Sequence, residues 1–154
     1  MTSILVVNLR GTINIPAPIK RTLQQLHLER RFRATVIPDN PVNRGMLQVV
    51  KNYAAWHNVE SSVLVALLEK RGMISNSIRL DGKTVKDMGF KTMTDMAKSI
   101  SSGDAVMAKI SGLKPSFKLS PPKGGFKRST RRMYSQGGVL GNNPELFKLV
   151  DAMI

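Results

Sequence analysis

The chain has 154 residues, 24 Lys and Arg against 10 Asp and Glu, and a net charge of +14. That is enough for one domain, or one small domain with an extension, and the charge points to a polyanion, nucleic acid before anionic membrane. With no Cys, disulfides, thiol catalysis and thiolate metal sites are excluded, and no apolar run approaches the length of a bilayer span.

Ser3-Ile-Leu-Val-Val-Asn-Leu9 predicts a strand buried on both faces, ended by Arg10-Gly11. No basic leader precedes it, so no signal peptide is expected. Pro16 and Pro18 open a helix from about Ala17 to Leu26, with Lys20 and Arg21 on its outer side. Arg33 to Ile37 predicts a second strand. Asn40 caps and Pro41 opens a second helix, striped by Val42, Met46, Val49, Val50 and Tyr53. Trp56 to Val59 predicts a third strand. Residues 1–60 therefore predict a compact β-α-β-α-β module, two-layered, with both helices on one sheet face.

Residues 61–154 predict a mainly helical extension. A third helix starts at Ser61 or Ser62 and stops at Gly72. A helical turn follows over Val85–Met88, then a helix from Met93 to about Ser99 capped by Thr92. The element beginning at Ala105 is open between helix and strand. Asn143 and Pro144 open a last amphipathic helix over 143–153, with Leu146, Phe147, Val150 and Met153 on one face.

Between these helices lies a basic loop, residues 114–142. No acid occurs between Asp104 and Glu145, against eight Lys or Arg. The stretch Phe117 to Asn143 has no sustained hydrophobic period and little reason to fold by itself. Apolar elements on both sides pin it as an internal loop. Lys118, Lys123, Lys127, Arg128, Arg131 and Arg132 supply charge for a phosphate backbone. Gly124 and Gly125 let that backbone come close. Their spacing is not that of a nucleotide-binding loop. Phe117, Phe126 and Tyr134 interleave with these charges, and aromatics so placed can stack on unpaired bases. The other reading is that Phe117 and Phe126 anchor the loop on its own domain, and for Phe117, after Leu113 and Pro115, the anchor is preferred.

Two further patches qualify. One combines Arg30, Arg31 and Arg33 with Arg10, Lys20 and Arg21, Arg30 reading equally well as an ordinary solvated residue beside Glu29. The other sets Arg44 and Gly45 in the first turns of the second helix, where the helix N-terminus favours phosphate, with Lys51 seven residues further on. His27 and His57 are far apart, the carboxylates are scattered, and no metal-ligand spacing occurs. No catalysis, cofactor, metal or small-molecule substrate is expected.

Those residues resemble a known family. Ile4-Leu-Val-Val-Asn-Leu9, Arg21-Thr-Leu-Gln-Gln-Leu26, Ala34-Thr-Val-Ile-Pro38, Asn43-Arg-Gly-Met46 and Val50-Lys-Asn-Tyr53 are similar to a universal protein of the large ribosomal subunit, number thirty in bacteria and seven in eukaryotes. Phe117-Lys-Leu-Ser-Pro-Pro-Lys-Gly-Gly125, its basic continuation and Gly137-Gly138 resemble the longer archaeal and eukaryotic members. The chain lacks the eukaryotic basic N-terminal extension, so the resemblance implies an archaeal source. It further implies an α+β fold with a three-stranded antiparallel sheet and two helices. The implied role is to bind 23S-type rRNA of the large subunit, near the 5S RNA and beside other ribosomal proteins, in the cytoplasm. In that role the basic loop threads between RNA segments and orders on binding. The rivals are a DNA-binding regulatory protein, using short helices around Gly72 to Ser101, and an RNA-modifying enzyme.

Overall fold

The computed structural model describes residues 2–154. β1 (Ser3–Asn8) is buried along its whole length and lies at the centre of the fold. Alternation along it sends Leu5, Val7 and Leu9 to one core, and Ile4 and Val6 to another. The expectation of a strand covered on both faces therefore holds.

α1 (Ala17–Gln25) has proline in its first turn and turns Leu23 inward. β2 (Arg33–Pro38) follows. α2 (Pro41–Val49) is capped by Asn40, whose side chain accepts from the Asn43 N–H at 2.8 Å. β3 (Ala54–Asn58) begins two residues earlier than the sequence predicts. β2 and β3 flank β1 in antiparallel register, with Val36 and His57 both opposite Leu5. α1 and α2 cover one sheet face through Leu23, Leu26, Leu28, Leu47 and Val50, packed on Ile4 and Val6.

The second half changes the expected architecture. It begins with α3 (Ser61–Arg71), α4 (Gly82–Asp87) and α5 (Met93–Ser102). Then come β4 (Phe117–Lys118), β5 (Ser129–Met133), β6 (Gly138–Asn142) and α6 (Leu146–Met153). The sheet is six-stranded and mixed, in the order β4-β2-β1-β3-β6-β5, not three-stranded and antiparallel. β4 adds antiparallel to β2, while β6 adds parallel to β3 and carries β5 in parallel. These additions escape the sequence pattern because β4 has only two residues and β6 is flanked and interrupted by glycine. Their pairing is directed by the open edges of β2 and β3 rather than by local alternation.

The larger core fills the other face. Leu64, Leu67 and Leu68 of α3, Met96, Ala97 and Ile100 of α5 and Val150 and Met153 of α6 pack on Leu5, Val7 and Leu9. The sheet is thus a middle layer with helices on both faces, in place of the two layers read from residues 1–60 alone. The basic segment is correspondingly no continuous loop, since it supplies β4, β5 and β6. Ala105 onward resolves into a short 3₁₀ turn at Met107–Lys109. The final helix starts at Leu146, three residues later than expected. Buried Asn143 instead turns the chain, accepting from the Glu145 N–H at 2.9 Å and donating to the Val139 carbonyl at 3.2 Å.

Candidate nucleic-acid interface

The basic segment is fastened to the fold at named points. Phe117 is fully buried, in keeping with its reading as an anchor. The Ser120 and Lys123 N–H groups each donate at 3.0 Å to the Met153 and Ala152 carbonyls. They thereby satisfy carbonyls that the end of α6 would otherwise leave unpaired. Gly124 and Gly125 take φ of 81° and 74°. This tight left-handed turn is local work that only glycine does without strain. Beyond it, Phe126 stacks on Phe32, with ring centroids 6.1 Å apart and planes 23° apart. Phe126 thus faces its own domain rather than standing free for a base.

Phe32 joins two of the predicted patches. Its backbone lies in the left-handed region (φ 61°), uncommon for a bulky residue. Its N–H donates to the Asn8 carbonyl at 2.7 Å, and its carbonyl accepts from Leu119 at 2.9 Å. The Arg31 guanidinium sits 4.6 Å from the Phe32 ring centre, and Arg31 Nε donates to the Leu9 carbonyl at 3.1 Å. Arg33 is the register partner of Lys118 and donates to Ser116 Oγ at 3.3 Å. The strand pairing and the ring stack therefore bring Arg31, Arg33 and Lys118 together with the stretch Lys123–Lys127. Arg10 adjoins this group, because a Cβ on the neighbouring Gly11 would touch Arg31. Arg10 itself lies over the Tyr53 ring at 5.2 Å and donates to the Asn52 carbonyl at 3.1 Å, beside exposed Lys51.

Arg44 is held elsewhere. Its Nε and Nη2 donate to the two carboxylate oxygens of Asp39 at 2.5 and 2.7 Å. The Arg44 side chain is 68% exposed and that of Asp39 12%. The Arg44 hydrogen bond lowers the Asp39 pKa below the ordinary aspartate value. This pair stands at the far end of β2 from Arg33, roughly 20 Å away along the strand. Gly45, beside it on α2, is exposed, and nothing lies within 4 Å of where its Cβ would be.

Arg131 and Arg132 are exposed on β5, at the opposite sheet edge from Lys118. There Gly138 lets β6 approach β5, since a Cβ at Gly138 would collide with the Arg132 carbonyl. Arg128 packs over Tyr134 at 4.9 Å and lies 3.5 Å from Glu145. Lys20 and Arg21 are exposed on α1. The predicted residues thus form one contiguous group around Phe32 and Phe126, with α1, the Arg44–Asp39 pair and β5 as separate outposts.

The sequence reading assigned no role to three further cations. Lys148 of α6 is 85% exposed and stands 4.0 Å from Glu145. It shares an open cleft of about 470 Å³ with Lys123, Lys127 and Arg128, above Phe126 and Leu149. Its position three residues after Glu145 on an amphipathic helix was the available signal. Arg71 reaches Ser120 Oγ at 2.9 Å, and Lys114 bonds Asn76. His27 is exposed at a left-handed position after α1. His57 Nδ1 lies 3.1 Å from Asn142 Oδ1, and its ring packs edge-on against Phe147.

Comparison with known proteins gives a consistent answer over the whole chain. The family described as ribosomal protein L30p/L7e matches residues 4–54. The chain is 41% identical over 150 residues to the large ribosomal subunit protein uL30 of Cenarchaeum symbiosum, covering 97% of each chain. It is 35% identical over 152 residues to the protein of the same name from Nitrosopumilus maritimus, covering 99% of this chain and 98% of that one. Against that of Archaeoglobus fulgidus it is 37% identical over 149 residues, with 96% and 97% covered. The β-α-β-α-β half and the basic half align together in these archaeal proteins, and the chain belongs to the uL30 family of large ribosomal subunit proteins.

Proposed function

We propose that the chain is a structural, non-catalytic constituent of the large ribosomal subunit that binds and stabilises 23S-type rRNA. The observation that carries this is the gathering of Arg31, Arg33, Lys118, Lys123 and Lys127 around the Phe32–Phe126 stack. A surface of cations fixed by backbone pairing neutralises phosphates and matches RNA by shape, with little base reading of its own. Arg128, Arg131, Arg132, Lys20, Arg21, Arg10, Lys51, Arg44 and Gly45 extend the contact in this reading.

Placement beside the 5S RNA and other ribosomal proteins, in the cytoplasm, rests on family resemblance. Among the described residues no helix is long and apolar enough to cross a membrane. The DNA-binding alternative finds no support. The relatives compared are ribosomal, α4 has six residues, and α5 turns Met96, Ala97 and Ile100 into the core.

Sedimentation of native extracts tests the reading. The protein is expected to travel with the large subunit and to resist moderate salt. Recovery only in the free-protein fraction would refute it.

A further inference from the structure

A second cleft, of about 320 Å³, opens between α2 and β3, away from the basic group. Its lining includes Ile4, Arg44, Leu47, Gln48, Trp56 and Asn58. The fold explains why these meet. Ile4 is opposite Asn58 and Val6 opposite Trp56 across the β1–β3 pairing, which puts Ile4, Trp56 and Asn58 on the sheet face turned to α2. Arg44, Leu47 and Gln48 lie three and four apart on one side of that helix.

The result is a narrow set of chemistries. Ile4 and Leu47 give an apolar floor, and half-buried Trp56 adds a flat aromatic surface on a strand rather than a loop. Gln48 and Asn58 are exposed amides, each able to donate and accept. Asn142, opposite Trp56 in the β3–β6 register, adds a third amide, oriented by His57. Arg44 is oriented by Asp39 through Nε and Nη2, which leaves Nη1 outside that pair. An apolar peptide side chain has no use for three amides and a guanidinium. A fully paired RNA helix presents no base face to Trp56. An unpaired base attached to a phosphate uses all of them, by stacking, by hydrogen bonds along its edge and by charge.

We propose that this cleft takes one unpaired nucleotide of the bound RNA, its base against Trp56, its edge on Gln48, Asn58 and Asn142, and its phosphate on Arg44. The proposal rests on the rRNA-binding reading and adds that one nucleotide is splayed from its helix at this point.

Trp56 is the single tryptophan of the chain, so its fluorescence reports on the cleft directly. Titration of the full-length protein with large-subunit rRNA transcript is expected to quench it. Trp56→Leu is expected to weaken rRNA binding about tenfold, one aromatic stack, while Trp56→Phe recovers most of the loss. The salt slope should stay as in the parent, because no phosphate contact is removed. Exposed Asn58→Ala, which takes nothing from the core, should weaken binding severalfold and guards against a folding artefact in Trp56→Leu.

Unquenched emission with Trp56→Leu and Asn58→Ala both binding within twofold of the parent would overturn the cleft. RNA binding would still stand if alanine at Lys123 and Lys127 lowered affinity. A parent protein that binds no rRNA would remove both readings together. Emission that shifts on adding large-subunit proteins without rRNA, and not with rRNA, would assign the cleft to a protein side chain and overturn the proposal as well.

Discussion

Phe126 reaches back across the fold to stack on Phe32, ring centroid to ring centroid in 6.1 Å. Between them these two rings join the most basic stretch of the chain to the start of β2. Phe126→Ala should lower stability by about 1 kcal/mol beyond the apolar area it removes. It should also release the turn at Gly124 and Gly125. Hydrogen exchange at the Lys123 amide, bonded to Ala152 in the parent, is the measurement. Exchange that stays at the parent rate would show that the stack does not hold the turn.

Alanine at Lys123, Lys127, Arg128, Arg131 and Arg132 together should flatten the dependence of rRNA affinity on salt. With five phosphate contacts the log–log slope falls by about 3.5 to 4.5. Arg128 shares its charge with Glu145, and with that residue making no phosphate contact of its own the fall is about 2.8 to 3.6. Filter binding across a salt series reads this, and a slope equal to the parent's would rule these residues out as phosphate contacts.

The Arg44–Asp39 pair sets a pH dependence. Arg44 lowers the Asp39 pKa in the folded state, so the unfolded chain binds that proton more readily. The pair's contribution to stability is therefore complete above the ordinary aspartate pKa and is lost as pH falls through the lower folded value. Titrating the Asp39 carboxyl by NMR should give a midpoint below the ordinary range, returning towards it in Arg44→Ala. A midpoint unmoved by that substitution would contradict the cause assigned here.

Asn40→Ala removes the cap of α2, which accepts the Asn43 N–H at 2.8 Å. The expected cost is about 1 kcal/mol in urea unfolding, with Asn40→Asp close to the parent. Equal stability of Asn40→Ala and parent would mean that solvent replaces the cap without loss.

Phe117→Ala should be far more costly, about 3–5 kcal/mol. Phe117 is fully buried in the larger core and pairs with Ala34 of β2. The loss should appear as one cooperative transition, with β1 and β2 amides losing protection together with the second half. Separate transitions for the two halves would argue against a shared core.

The first half of the fold was legible because its signals are local. β1 is a continuous apolar run, and Pro16, Pro18, Asn40 and Pro41 mark the helix starts to within a residue. The second half was not. Val139 and Leu140 of β6 look like loop residues between glycines until β3 offers them an edge. Charge was equally plain in the sequence, but its grouping was not. Nothing local shows that Lys118 faces Arg33, 85 positions apart in the chain, or that Asp39 claims Arg44 across the turn into α2. Trp56 read as a strand residue, and only the register with Ile4 and α2 reveals a cleft beside it.

The late strands also set a timetable for synthesis. β2 and β3 exist from residue 58 onward, but their outer edges stay unpaired until Phe117 and Gly138–Asn142 emerge. A nascent chain that has left the tunnel only as far as α5 therefore carries two open strand edges and a half-covered sheet face. Such species are prone to pair with other chains. Arg33 stands on the β2 edge itself, a charged side chain of the kind that discourages such pairing. Net positive charge of this kind, suited to a polyanion, also opposes the association of unfinished copies through self-repulsion.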